Sequence, residues 1–222
     1  MSLHLLIDTA LETAHIGIAR NGELIAQREN AQQQDHATWL HPALREMLSE
    51  IGASTADLEA VGITEGPGSY TGLRVGMAAA KGICYAEKIP LIGISTLQLL
   101  AAGARDEAEE LIIALIDARR DEVFAGIYDR SLNNIQPDLA MIPGPDSFAD
   151  LRTTRRIALT GNGAAKTSAP VGTKTFFVIE SKHSLKNLAL LTYKKFVIKS
   201  FADLAYHEPV YVKDFYTTPK DR

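Results

Sequence analysis

Residues 58–76 read LEAVGITEGPGSYTGLRVG, an apolar run followed by a glycine-rich turn and the start of a second apolar run. The run Leu58–Thr64 is typical of a buried strand, and Gly66-Pro67-Gly68 is typical of a turn. The stretch Ser69–Glu87 then predicts a helix that is rich in small residues. A strand that passes through a tight turn into a helix is the building unit of sheets with parallel strands.

The segments around this unit extend it to three strands, a helix, and then alternating strands and helices. Asn21-Gly22 falls between two strand-like runs and is a strong type I′ hairpin signal. This order predicts a mixed sheet whose first strands are antiparallel and whose later strands are parallel. The additional elements are predicted at His4–Thr9, His15–Ala19, Glu23–Gln27, Thr38–Ile51 and Leu91–Ile94, and from Ser95 or Thr96 to about Ala104.

The second half of the chain repeats the plan in shorter form. Leu111–Asp117 is again an apolar strand that ends in Asp, and Glu122–Tyr128 follows as its hairpin partner. Two further strands are predicted at Ile157–Thr160 and Thr175–Ile179. Residues 133–147 hold three prolines and are predicted to be irregular.

A duplicated lobe of this kind predicts an α/β protein with an actin-like (ASKHA, ribonuclease H-like) fold. Each of the two lobes is expected to be a mixed sheet with helices, and the second lobe is expected to be reduced. The polar run Gly103–Glu110 marks the boundary. The predicted domains are 1–103 for the first lobe and 104–207 for the second, with 208–222 as a tail that packs back on the first lobe.

The composition predicts an ordinary cytoplasmic protein. Of the 222 residues, 46% are hydrophobic and 23% are charged, so a sizeable core is expected. The formal net charge of −4 gives no general attraction to nucleic acid. The single cysteine, Cys84, suits a reducing compartment, and the N-terminus lacks a signal-peptide pattern. No apolar run approaches the about 18 residues of a membrane span, so no membrane association is expected.

Anion binding is one interpretation of the glycine-rich segment. A turn that starts a helix presents backbone N–H groups and a positive dipole end, which favour a phosphate. The segment is not a P-loop and does not match G-x-G-x-x-G, so a phosphate site is only weakly indicated. The residues that would contact a nucleotide or phosphate are Asp8, Gly66, Gly68, Ser69 and Arg74, although Asp8 and Asp117 at their strand ends are better explained as turn caps.

Close packing is the other interpretation, and it concerns the helix that follows the turn. Gly72, Gly76 and Ala80 recur every four residues and therefore share one helical face. Glycine within a helix costs ~1 kcal/mol relative to alanine, and close approach of another helix is the usual compensation. The sequence leaves open whether this face packs inside its own lobe or against a partner protein. The predicted partner-contact residues are Leu40, Leu44, Met47, Gly72, Val75, Gly76, Ala79 and Ala80.

The segment Gly66–Gly76 resembles that of the bacterial tRNA threonylcarbamoyladenosine biosynthesis family TsaB, which is YeaZ-like and related to the glycoprotease-like (Kae-related) proteins. The resemblance is specific over residues 1 to about 130 and looser beyond them. Val212-Lys213 stands where the family usually has Leu-Arg. The other matching segments are Ile7-Asp8-Thr9-Ala10, Pro90–Leu97, Ile116–Arg119, Gly161-Asn162-Gly163 and Glu208–Tyr211.

This resemblance implies a non-catalytic scaffold subunit. The implied partner is a TsaD-type catalytic subunit, which transfers threonylcarbamoyl to adenosine 37 of tRNA, with a TsaE-type ATPase as a further complex member. A homodimer is implied when the chain is alone, and tRNA contact only through the complex. TsaD carries a His-x-x-x-His metal pair where this chain has Thr96 and Leu100. No metal site, no catalytic residue and no cofactor are therefore expected, apart from a weakly held nucleotide shared at an interface.

Two other functions remain alternatives. A metal- or ATP-dependent enzyme of the same fold, such as an M22-type glycoprotease-like peptidase or a small-molecule kinase, needs the missing His pair or a phosphate loop. His36 and His41 do not replace that pair, because five residues place them on different helical faces. An RNA-binding module needs a basic patch, and the lysines within residues 182–199 alternate with apolar residues as in an amphipathic helix.

Overall fold

The computed structural model of this protein describes residues 2–32, 35–151, 156–171, 175–180 and 184–213. The strands are β1 (Leu3–Asp8), β2 (Ala14–Arg20), β3 (Glu23–Asn30), β4 (Ala60–Gly66), β5 (Leu91–Ser95), β6 (Leu111–Asp117), β7 (Val123–Asp129), β8 (Asn134–Met141), β9 (Ile157–Thr160) and β10 (Phe176–Ile179). The helices are α1 (His36–Glu50), α2 (Tyr70–Glu87), α3 (Thr96–Ala104), α4 (Ala164–Val171) and α5 (Leu185–Val197), with short 3-10 turns at Thr55–Asp57 and Ala149–Leu151.

The strands form two five-stranded sheets with the same internal order. The first sheet runs β3-β2-β1-β4-β5, and the second runs β8-β7-β6-β9-β10. In each sheet the first three strands form an antiparallel meander, and the other two pair in parallel. The predicted actin-like α/β fold of two lobes is confirmed. The second lobe is reduced in its helices, since α4 has 8 residues and α2 has 18.

Local sequence signals set the ends of several elements. Asn21 and Gly22 have φ values of 50° and 84°, as a type I′ turn requires, so the predicted hairpin is confirmed. Ser69 caps α2 by accepting a hydrogen bond from Gly72 N at 3.3 Å. Lys88 ends α2 in the left-handed region, at φ 58°. No helix within the described ranges has both the length and the apolar content needed to cross a membrane.

The prediction that residues 133–147 are irregular is wrong for Asn134–Met141, which form β8, and is confirmed for residues 142–147, which form no helix or strand. Among the described strands, β8 lies at the edge of the second sheet and pairs only with β7. Its register shifts around Pro137, since Gln136 pairs with Ile127 and Leu139 pairs with Ala125. An edge strand with a bulge tolerates a proline because the missing N–H is not needed there.

Three groups of buried side chains hold the molecule together. One lies between the first sheet and helices α1 and α2, and another lies between the second sheet and α4. The third lies between the two sheets and contains residues of both lobes, such as Leu6, Ile92, Ile112 and Tyr128, together with α3 and α5. The two lobes therefore share a continuous apolar core.

Helices α3 and α5 cross between the lobes. Helix α3 follows the first sheet but packs chiefly on β6, β7 and β9, whereas α5 follows the second sheet and packs on all five strands of the first. Gly62 in β4 has no room for a Cβ beside Thr192 of α5. Helix α5 thus packs on the first lobe although its residues fall within the range 104–207 predicted for the second lobe. The three predicted domain boundaries stay a prediction. Residues 214–222 of the predicted tail lie outside the described residues.

His4 in β1 is buried beneath α5. Its ring centroid lies 4.5 Å from that of Phe196 and 6.0 Å from that of Tyr193. Neither ring nitrogen has a hydrogen-bond partner in the described part of the chain. Burial therefore favours the neutral imidazole and lowers the pKa of His4 from 6.5 to about 4.

We expect the free energy of unfolding to fall as the pH is lowered from 6.5 towards about 4. In that window the unfolded chain protonates His4 and the folded chain does not, so protons favour unfolding. Above this window the contribution of neutral His4 is fully present. Urea unfolding between pH 4.5 and 7.5 measures the effect. The variant His4→Leu should show a smaller change of unfolding free energy with pH in this window. The control His41→Leu, at an exposed position, should behave like the unaltered chain. Equal slopes in the unaltered chain and both variants would contradict the assignment of this pH dependence to His4.

Candidate functional site

The glycine-rich turn packs tightly against the connection between β1 and β2. Ser69 N donates to the carbonyl oxygen of Ala10 at 2.7 Å. A Cβ at Gly68 would overlap the same carbonyl, so only glycine permits this approach. The turn N–H of Ser69 is thus already bonded to the first lobe.

Helix α2 continues this close contact along its first two turns. A Cβ at Gly72 would overlap the carbonyl oxygen of Thr9, and a Cβ at Gly76 would overlap the Thr9 hydroxyl. That hydroxyl donates to Gly72 O at 2.7 Å. Gly72, Gly76 and Ala80 are buried within the first lobe. Of the two alternatives for this face, packing inside its own lobe or against a partner protein, the structure shows the first.

The other predicted contact residues divide between the core and the surface. Met47 is fully buried against the first sheet, and Leu44 lines a small hollow at the far end of α1. Leu40, Val75 and Ala79 line a groove between α1 and α2 with a volume of about 510 Å³. The structure therefore brings together only Leu40, Val75 and Ala79 of the predicted set in that groove.

Small residues that the predicted contact set omits form much of the groove. Ala78, Gly82 and Ala86 are exposed and recur every four residues along α2. A Cβ at Gly82 would meet no atom within 4 Å. The sequence contained a signal for this groove: the solvent-facing side of a helix normally carries polar residues, and this side of α2 carries almost none.

The candidate anion-binding residues contact their own chain. Asp8 is buried and accepts hydrogen bonds from the Thr64 hydroxyl at 2.8 Å and from Ala10 N at 3.2 Å. The second of these is the predicted turn cap. Arg74 is exposed; its Nε donates to the Tyr211 hydroxyl at 3.2 Å, and its guanidinium lies 4.2 Å from the Tyr70 ring centroid.

The second lobe has a matching turn after β9. Gly161 and Gly163 lie against the backbone at Leu115, and Gly163 N donates to Leu115 O at 3.1 Å. Asp117 accepts from Arg119 N at 2.7 Å and from Lys166 Nζ at 2.6 Å, and this pairing with Lys166 lowers the pKa of its carboxyl. Both strand-end aspartates therefore cap turns.

Thr96 and Leu100, which the resemblance places where TsaD has its His pair, lie in α3. Both side chains are buried, and Leu100 belongs to the core that the lobes share. In the described segments no group of three His, Cys, Asp or Glu side chains is arranged to hold a metal ion.

The model of the TsaD family, described as tRNA N6-adenosine threonylcarbamoyltransferase, matches residues 23–214. The chain belongs to this family. Over 59% of its own length, the chain is 36% identical to the tRNA threonylcarbamoyladenosine biosynthesis protein TsaB of Escherichia coli (strain K12). Over 60% of its own length, it is 34% identical to the protein of the same name from Bacillus subtilis (strain 168). These matches span 57% and 59% of the two relatives. Within the family the chain is TsaB/YeaZ-like.

A solved structure supports the same fold. YeaZ from Pseudomonas aeruginosa superimposes with a TM-score of 0.80 at 23% identity, over 95% of this chain and 100% of that one. Because this superposition covers 95% of the chain, it includes both lobes.

Two glycines of α2 should respond in opposite ways to the same substitution. Gly76→Ala should lower the free energy of unfolding by about 1–3 kcal/mol, because the new methyl group displaces Thr9 and its buried hydrogen bond. Gly82→Ala should raise it by about 0.5–1 kcal/mol, because the site is open and alanine favours the helix. Urea denaturation of both variants checks this. A Gly76→Ala variant as stable as Gly82→Ala would show that α2 does not lie against Thr9.

Proposed function

We propose that this chain is a non-catalytic scaffold subunit that binds a TsaD-type catalytic subunit in tRNA threonylcarbamoyladenosine modification. Family membership and the names of its curated relatives support the pathway. The observation that carries the binding role is the open apolar groove between α1 and α2. We also propose that the protein is located in the cytoplasm, as the sequence predicts.

The groove has the shape and chemistry of a helix-docking site. Its floor is apolar, with Leu40 and Ile83, and its α2 wall consists of the small residues Ala78, Gly82 and Ala86. Small side chains allow the backbone of a docked helix to approach closely, as ridges-into-grooves packing requires. A second hollow of about 430 Å³ adjoins it through shared residues, which lengthens the apolar surface.

Polar and charged side chains at the rim make the two sides of the groove different. His41 and Arg45 lie on the α1 side, and Glu87 lies at the C-terminal end of α2. A polar rim around an apolar centre is the usual anatomy of a protein interface. We propose that a helix of the TsaD-type subunit fills the groove, and that a second copy of this chain covers the same surface when that subunit is absent.

The buried environment of Thr96 and Leu100 supports the non-catalytic part of the proposal. Neither side chain replaces an imidazole as a metal ligand; both are buried, and Leu100 belongs to the core that joins the lobes. A TsaE-type ATPase is proposed as a further member of the complex, with tRNA bound only through the assembled complex. We propose no cofactor beyond a nucleotide that is held weakly at a subunit interface.

Substitution at Gly82 separates binding from folding. Gly82→Leu should stabilise α2 and yet abolish capture of a TsaD-type subunit, because the leucine side chain fills the groove. Gly82→Ala is the matched control and should retain most of the binding. Co-purification and titration calorimetry measure the affinity, and urea unfolding verifies the fold.

The outcome that contradicts the interface is a Gly82→Leu variant that binds at the affinity of the unaltered chain. The non-catalytic role has its own test, in which the purified chain alone is assayed for bound metal and for ATP turnover. Stoichiometric metal or rapid ATP hydrolysis would favour the enzyme alternative instead. A tRNA modification assay with and without this chain then links binding to the pathway.

A further inference from the structure

Residues 200–213, here called the C-terminal strap, return from α5 across the first lobe. Near its start, Ala202 N donates to Leu91 O of the edge strand β5 at 2.9 Å. The ammonium group of Lys81 on α2 then donates to the carbonyl oxygens of Ala205 and His207, at 3.3 and 3.0 Å. The strap is therefore fixed to both β5 and α2.

Glu65 at the end of β4 holds the middle of the strap through two contacts. Its backbone carbonyl accepts from Val210 N at 2.7 Å. Its carboxylate lies 3.0 Å from Nε2 of His207, with both side chains largely buried. The backbone of Glu65 is thus hydrogen-bonded to the strap, and its side chain packs against His207.

The strap then crosses the glycine-rich turn. Gly66 has a φ of 121°, and a Cβ there would overlap the carbonyl oxygen of Val210. The ring of Tyr211 follows at 5.6 Å from the ring of Tyr70, and its hydroxyl accepts from Arg74. The glycine that begins the turn thus makes room for the strap.

The end of the described strap reaches the second lobe. Lys213 Nζ lies 2.7 and 2.8 Å from the two carboxylate oxygens of Glu122, which precedes β7. Three residues of extended chain span at most about 10 Å. The distance from Val210 to Lys213 therefore places the Gly66 turn of one lobe close to the Glu122 turn of the other.

We propose that the C-terminal strap fastens the second lobe to the first at the carboxyl ends of β4 and β6 and holds the angle between the lobes. An exposed ion pair between separate segments contributes little. Here the anchors on the first lobe keep Lys213 within reach of Glu122, so the pair forms at a high effective concentration. The strap therefore connects the lobes at the strand ends, in addition to the contacts that α3 and α5 make through the shared core. This inference does not depend on the proposed function.

The test measures the distance between the lobes in the full chain. Spin labels at Gln27→Cys and Ser131→Cys, both at exposed positions, report on the first and second lobe. Cys84 stays unlabelled because it is buried and burial raises the pKa of its thiol to about 12. Excess unlabelled chain removes distances between copies, and double electron–electron resonance gives the distance distribution.

We expect Glu122→Lys to broaden the distribution and the exchanged pair Glu122→Lys with Lys213→Glu to restore it. Lys213→Glu should also speed hydrogen exchange at the Val210 amide about fivefold, the effect of losing one modest interaction. Lys194→Glu, at an exposed position on α5, is the control and should change neither quantity.

A chain that ends at Pro209 should give the broadest distribution. If it folds, with an unchanged circular dichroism spectrum, and its distribution equals that of the full chain, the proposal is overturned. If it does not fold, the charge exchange decides, because an unchanged distribution in Glu122→Lys overturns the proposal as well. Neither result bears on the groove, whose binding is measured separately.

Discussion

The contact of α2 with the end of β1 is the constraint on which the first lobe depends. Thr9 lies so close to Gly72 and Gly76 that a Cβ at either position would overlap it. This contact fixes the rotation of α2 about its axis. Because the rotation is fixed, the opposite face, with Ala78, Gly82 and Ala86, points outward and forms the groove.

The second lobe repeats this construction with other residues. Gly163 there approaches the backbone at the end of β6, as Gly68 approaches Ala10 in the connection that follows β1. The shorter α4 leaves the second lobe with less apolar surface of its own. Its sheet depends instead on α3 from the first lobe, while α5 covers the first sheet in return. Each lobe therefore completes the core of the other.

Patterns that depend on neighbours in sequence predicted most of the fold. The hairpin at Asn21-Gly22 and the strand–turn–helix at Gly66 follow from local chemistry, and both lie where expected. The edge strand around Pro137 escaped prediction because a proline signals irregularity unless the sheet edge is known. The orientation of the α2 glycines also escaped, since a four-residue period shows that residues share a face but not what the face touches. Only the fold revealed Thr9 as their neighbour.

The position of α5 also decides when this chain can begin to fold. The apolar face of the first sheet, with Leu6, Ala60 and Ile92, is covered by a helix that starts at Leu185. During synthesis the first five strands therefore leave the ribosome long before their cover does. Domains usually fold as units from the N-terminus onward. This chain instead must hold an uncovered sheet until α5 has been made, and the interval exposes it to aggregation and to chaperone binding.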